Sequence, residues 1–219
     1  MNYIVFDLEF TVLRKQQHLA DILELGAIKL SGAEGSLSMV DLFHSYVRPN
    51  HYKIISPLTT EFTGITQEQV NSAPSFSEVV SDWKAWLGEE PYYLCSWGPD
   101  DKFQLIHHCR IHNVELDWIR NFNDIQLPFT RLQGGDHGQR WGLKRALEAM
   151  EMTFVGKQHN ALDDAFNTVK VFRKIFPQLR LEENNAAQEP VYSTSLVYST
   201  SGVTNRPFEQ LARLLGMAQ

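Results

Sequence analysis

Hydrophobic positions change period along this chain. Tyr3-Ile4-Val5-Phe6 is a continuous β-favouring run, and the first eight residues read as a buried strand. Residues 22–30 (ILELGAIKL) make a second strand, and residues 42–47 lie in a third that Arg48-Pro49 closes. Short Gly/Ser-bearing turns such as Ser31-Gly32-Ala33-Glu34-Gly35 predict an antiparallel meander. At Pro74-Ser75 the period becomes helical: Phe76, Val79, Val80, Trp83, Trp86 and Leu87 share one face, and Gly88 terminates it. The pattern then predicts a short strand over 91–96, a helix over about 100–112 and a strand over 122–127. Helices follow at about 141–150 and 161–176, the last stopped by Pro177. Strands first and strand–helix alternation afterwards predict an α/β fold with a mixed sheet.

The chain changes character after about residue 182. Residues 182–190 are polar, and Val191-Tyr-Ser-Thr-Ser195 recurs as Val197-Tyr-Ser-Thr-Ser201, too few copies for a solenoid. A short final helix over 207–217 would place Phe208, Leu211, Leu214 and Leu215 on one face. The expected organisation is a globular unit over 1–182 and a linker with an appendage over 183–219.

Composition narrows the class. With 219 residues, 43% hydrophobic and 21% charged, the chain has apolar material for one sizeable core. No run approaches the roughly 20 apolar residues that span a bilayer. The first residues lack the basic region and apolar run of a signal peptide, so a cytoplasmic location is expected. Cys95 and Cys109 have no metal-ligand spacing and read as reduced, partly buried thiols. A net charge of −6 argues against gripping long duplex through its phosphates, yet is compatible with engaging a short strand end.

Three acidic features carry candidate chemistry. Asp7-Leu8-Glu9 ends the first apolar run, and on a strand residues i and i+2 point the same way. Two carboxylates held together repel unless a cation or proton lies between them, which suggests oxygen ligands for a divalent ion. His159-Asn160-Ala161-Leu162-Asp163-Asp164 leads into the strongly amphipathic 161–176 segment. There Leu162, Ala165, Phe166, Val169, Phe172 and Phe176 form the core face. Asp163 shares a solvent stripe with Asn167, Lys170 and Lys174, whereas Asp164 shares a packable flank with Thr168, Val171 and Ile175. Asp164 is therefore the better ligand, and Asp163 caps or solvates the helix. His159 must lie on the incoming loop, where an imidazole beside a metal-binding acid can act as general base. The third feature, Ser96-Trp97-Gly98-Pro99-Asp100-Asp101-Lys102, follows a strand and opens a helix; position alone leaves Asp100 and Asp101 open.

Together these features resemble the DEDDh 3′–5′ exonucleases of the DnaQ-like group. The motifs match as Phe6-Asp7-Leu8-Glu9-Phe10-Thr11, as Trp97-Gly98-Pro99-Asp100-Asp101-Lys102, and as His159 followed by Asp164. The family form selects Asp101 in the second motif and Asp164 in the third. Phe43-His44-Ser45-Tyr46-Val47-Arg48-Pro49, Phe62-Thr63-Gly64-Ile65-Thr66 and Gly142-Leu143-Lys144-Arg145-Ala146-Leu147 are similar to the KapD-like and histone-mRNA-exonuclease branch. The resemblance covers about residues 2–178 and makes 1–182 an exonuclease domain. Phe10 departs from it, standing where many relatives have a small residue.

The resemblance implies a ribonuclease-H-like fold, a mixed five-stranded sheet flanked by helices, and two-metal hydrolysis with Mg²⁺ or Mn²⁺. Asp7 would bridge both ions, with Glu9, Asp101 and Asp164 completing the set and His159 as general base, releasing nucleoside 5′-monophosphates. The implied partner is the 3′ end of single-stranded nucleic acid, RNA or DNA, held by Phe10, Thr11, Val12, Leu13 and Ile65. Arg131, Arg140, Lys144 and Arg145 are candidates to track its backbone. The rival is a regulatory binding module that keeps the fold. The tail is a candidate surface for a homodimer or a protein partner.

Overall fold

The computed structural model describes residues 1–13, 20–32, 36–135 and 139–188. Five strands form one sheet: β1 (Asn2–Phe10), β2 (Ile22–Ser31), β3 (Ser38–Tyr46), β4 (Tyr92–Ser96) and β5 (Phe122–Asp124), in the order β3-β2-β1-β4-β5. The meander β1-β2-β3 is antiparallel, and β4 and β5 join it in parallel, so the sheet is mixed as expected. Seven helices are described: α1 (Pro57–Thr63), α2 (Gln67–Ser72), α3 (Phe76–Leu87), α4 (Asp100–Ile111), α5 (Gln126–Leu132), α6 (Leu143–Ala149) and α7 (Ala161–Ile175).

The alternation of β1 sorts the helices into two layers. Ile4, Phe6 and Leu8 face a core built with Phe76, Val79, Val80 and Trp83 of α3 and Leu105 and Cys109 of α4. Val5 faces the opposite core, where Phe129, Ala146, Leu147, Val169 and Phe172 come from α5, α6 and α7. Asp7 and Glu9 have the parity of Val5 and therefore open toward α7.

Gly26 sets how closely α7 approaches. It pairs with Asp7 across β1–β2, and a Cβ there would lie 2.3 Å from Leu162 N and 2.4 Å from Ala161 C. Backbone meets backbone at that point, which only glycine permits.

Two expectations are corrected, and the structure adds two features that the apolar pattern does not declare. The 122–127 segment is strand only to Asp124, because the Asp124 Oδ1 accepts from Gln126 N at 2.9 Å and Leu127 N at 3.3 Å and turns the chain into α5. The third strand, in which residues 42–47 were expected to lie, runs over Ser38–Tyr46. The short helices α1 and α2 carry no long apolar period; instead Ser56 and Thr66 cap them, Thr66 with Gln69 as a capping box. Finally, Asn167 does not face solvent: it is fully buried, donating to Val155 O and Asp163 O and accepting from Val155 N.

Residues 183–188 stay with the sheet. Asn121 N donates to Asn184 O, Ala186 N donates to Ile119 O, and Ala186 is buried. The expected boundary at 182/183 thus falls inside a segment tied to β5, whereas the repeats and the helix expected over 207–217 lie outside the described residues.

Candidate active site

The five side chains that the motifs single out converge from three places: Asp7 and Glu9 from β1, Asp101 from the first turn of α4, and His159 and Asp164 from the start of α7. Burial separates the two aspartates of the second motif. Asp101 is 7% exposed and its Oδ1 accepts Leu8 N at 3.2 Å, while Asp100 points to solvent. Asp164 Oδ2 accepts the amide of His159 at 2.7 Å, which closes the loop before α7. His159 holds φ at +63°, a left-handed conformation uncommon outside glycine and seen where the surroundings enforce it. Asp163, expected to cap or solvate the helix, is half-buried and braces the loop instead: its Oδ2 accepts Lys157 N at 2.8 Å, and the cap is Asn160.

Electrostatics bind these residues into one unit. Burial, followed by the charges of Asp101, Asp164, Glu9 and Glu24, pushes the Asp7 carboxyl well above its ordinary range. Glu9 is raised by burial, then by Asp164, Glu24 and Asp101, with Lys157 opposing. Asp101 is pushed up to about 8 and Asp164 to about 7, burial leading in both. Burial, then Lys157, lowers the His159 imidazole. Such mutual repulsion in a buried group of acids is what a divalent cation relieves.

The donor set fits such a cation. One ligand atom each from Glu9, His159 and Asp164 lies within 4.8 Å of the others. Opposite ligands of an octahedral Mg²⁺ are about 4 Å apart, so a small contraction suffices. Carboxylate oxygens dominate the cluster, which favours Mg²⁺ or Mn²⁺ over softer ions.

One residue went unread in the sequence. Glu24 on β2 is fully buried opposite Glu9, and every bond to it comes from neighbouring donors. His44 Nε2 meets its Oε1 at 2.7 Å, Asn160 Nδ2 donates to Oε1 at 2.9 Å, and Ala161 N donates to Oε2 at 3.1 Å. Its acceptor atoms therefore fix the first residues of α7, at the helix end where the macrodipole favours a negative charge. The legible signal was an acid set inside the apolar run ILELGAIKL.

The other named residues separate. Phe10 packs against the β1–α3–α4 core, and Thr11 and Val12 are buried, Val12 N donating to Thr59 Oγ1 at 3.0 Å. Leu13 is half-buried. Ile65 is 2% exposed among Leu23, Ile55 and Val70, and offers no surface to a base here. Arg140 pairs with Asp124 at 2.5 Å, Arg145 lies over Trp141 at 3.8 Å, and Arg131 and Lys144 are exposed.

Comparison with known proteins addresses the family and the fold. The exonuclease (RNase T) family model matches residues 4–172. The chain is similar to ERI1 exoribonuclease 2 of Danio rerio, 29% identical over 78% of this chain and 34% of that one. It therefore spans about a third of that relative's length. It is also similar to the probable 3′-5′ exonuclease KapD of Bacillus subtilis, 26% identical over 80% of this chain and 84% of that one. Among solved structures, the nuclease domain of 3′hExo, described as a DEDDh family member bound to rAMP, superposes with a TM-score of 0.71. That match is 23% identical and covers 84% of this chain and 96% of that one. With a family model spanning most of the described residues and the acids of all three motifs gathered at one end of the sheet, the chain belongs to the exonuclease family.

Proposed function

We propose that this chain removes nucleotides one at a time from the 3′ end of single-stranded RNA or DNA, releasing nucleoside 5′-monophosphates. The observation that carries the reading is the convergence of Asp7, Glu9, Asp101 and Asp164 with a single imidazole, His159, among the described residues. Asp7, Glu9, Asp101 and Asp164 would hold two divalent ions, Mg²⁺ or Mn²⁺. Bound there, such ions would supply Lewis acidity for water activation and positive charge against the leaving 3′ oxygen.

The chain's own residues supply the rest. His159 accepts a proton from the water that attacks the terminal phosphorus. The P–O3′ bond breaks, and the shortened strand leaves with a 3′-hydroxyl. Leu8 N and His159 N orient Asp101 and Asp164 before any ligand arrives, which lowers the reorganisation needed at the reacting atoms. Relatives named as exoribonucleases support RNA among the substrates.

The test uses 5′-labelled single-stranded RNA and DNA with Mn²⁺, Mg²⁺ or EDTA, beside the Asp7→Ala, Asp164→Ala double variant. A ladder shortening from the 3′ end, lost with EDTA and in the variant, is the expected result. A folded wild-type protein that leaves both oligonucleotides intact would sink the reading.

A further inference from the structure

The loop that presents His159 is held from a direction the acidic motifs do not contain. Phe62, near the end of α1, lays its ring on the His159 imidazole, with centroids 3.9 Å apart and planes inclined by 31°. The same imidazole keeps a ring nitrogen within 4.8 Å of ligand atoms of Glu9 and Asp164. One face of the ring is thus covered by a flat apolar surface while its edge faces the cluster.

α1 is itself fixed to the strand that carries the acids. Val12 N, two residues past β1, donates to Thr59 Oγ1 at 3.0 Å, one helical turn before Thr63. Lys157 Nζ then reaches Thr63 O at 3.3 Å and ties the histidine loop to the end of the same helix. Gly64 leaves room for this: at φ +80° it ends α1, and a Cβ there would lie 1.9 Å from Lys157 Nζ. A path of direct contacts therefore runs from β1 through α1 to the imidazole without passing through a carboxylate.

From this we propose that Phe62 is a positioning residue for His159, setting the plane of the imidazole so that its edge meets the reacting water. The proposal rests on His159 acting as the general base of the exonuclease. A flat ring against a flat ring resists rotation about the imidazole's χ2, where a terminal torsion is otherwise broad. Proton transfer needs hydrogen-bond reach and alignment, and a misplacement of about 1 Å can cost about a hundredfold in rate.

The experiment is a double-mutant cycle in 3′-end hydrolysis with Phe62→Ala, His159→Ala and the double variant, beside Phe62→Tyr and Phe62→Leu. Phe62→Ala is expected to lower kcat about tenfold to a hundredfold with KM unchanged, and to add nothing in the His159→Ala background. Phe62→Tyr, which keeps the stacked face, restores the rate; Phe62→Leu, which keeps bulk without the face, does not. The His159 ring proton resonances shift in Phe62→Ala and Phe62→Leu and hold in Phe62→Tyr.

Additive losses, or a raised KM at constant kcat, would place Phe62 against the substrate and overturn the proposal. Loss of Mn²⁺ affinity in Phe62→Leu would overturn it too, by assigning the ring to the cluster's fold. A wild-type protein that ladders equally well as Phe62→Ala defeats only the role of Phe62, whereas a wild type that does not ladder defeats the exonuclease reading beneath it.

Discussion

The helices α4 and α7 both bring a carboxylate to the cluster, yet they dock on the sheet in opposite senses. Each opens with an Asp-Asp pair, Asp100-Asp101 and Asp163-Asp164, and in each the second aspartate reaches the site. On α4 the helix side chains accept amides from the sheet: Asp101 takes Leu8 N, and His108 Nε2 takes Ile22 N at 3.3 Å, beside the register shift between Glu9 and Phe10. On α7 the sheet accepts from the helix: Glu24 of β2 takes Ala161 N and the side chain of Asn160. α4 has no side-chain cap at Pro99, whereas α7 is capped by Asn160. Anchoring on α4 uses a cluster residue. Anchoring on α7 adds one, Glu24, that stands behind the cluster and can be altered separately.

The largest effect belongs to the shared centre. Asp7→Asn is expected to abolish laddering and to melt higher than the wild type without metal, because it removes one of several like charges held together. Mn²⁺ at a hundredfold excess over Kd should stabilise the wild type by about 2.7 kcal/mol and the variant far less. Thermal melts with and without Mn²⁺ check this, and a wild-type melt that ignores Mn²⁺ contradicts it. Within the comparison, Asp101→Ala should cost about 1–3 kcal/mol by orphaning Leu8 N, while Asp101→Asn keeps that acceptor and loses only activity.

Glu24 separates anchoring from ligation. Glu24→Ala leaves Ala161 N and the Asn160 amide without their acceptor, and should lower activity about tenfold to a hundredfold while costing about 1–3 kcal/mol. The matching change on α4, His108→Ala, should cost stability while leaving kcat near wild type. Steady-state kinetics beside urea unfolding decide it; equal losses of activity in the two variants would erase the distinction.

Long periodic elements were legible, and so were the short β4 and α6, whereas the short α1 and α2 were not. β1, β2, α3 and α7 declare themselves by apolar runs or a helical stripe many residues long. α1 and α2, at 7 and 6 residues, have no room for a stripe, and their capping signals were the only trace. The apolar start of α5 read as strand because a six-residue run does not distinguish the two periods. The motifs named all the acids of the cluster, since i, i+2 on a strand and a helix's first turn are local geometry. Glu24 and Phe62 act across 136 and about a hundred positions of chain, on Asn160 and His159, where no local pattern reaches.

The α4 anchor carries its own pH signature. His108 Nε2 accepts from Ile22 N, so Nδ1 carries the proton and meets Gln104 O at 2.9 Å. Burial lowers the imidazole from 6.5 to about 4, with Gln104 opposing. A histidine whose pKa is depressed on folding contributes fully above 6.5 and loses that contribution as pH falls toward 4. The slope reaches at most about 1.4 kcal/mol per pH unit. Urea unfolding at pH 7, 6 and 5 should show the wild type losing ground to His108→Gln across this window. Parallel curves would mean that His108 does not hold Ile22 N as a neutral acceptor.

The smallest effect tests the cap of α7 in a context that inverts the usual ranking. Asn160 uses both ends of its amide: Oδ1 accepts Asp163 N at 3.1 Å, and Nδ2 donates to Glu24 at 2.9 Å. Aspartate is ordinarily as good a cap as asparagine, and alanine costs about 1 kcal/mol. Here Asn160→Asp keeps the cap but loses the donor and sets a second carboxylate against buried Glu24, beside an already crowded set of acids. Asn160→Ala loses the cap and adds no charge. Asp is therefore expected to be the worse replacement, with serine, a cap without the donor or the charge, between asparagine and alanine. Melting temperatures of the three variants at pH 7 rank them. If Asn160→Asp matches the wild type, Glu24 is not the acceptor that ties α7 to the sheet, and the contrast between the two helices fails at its α7 end.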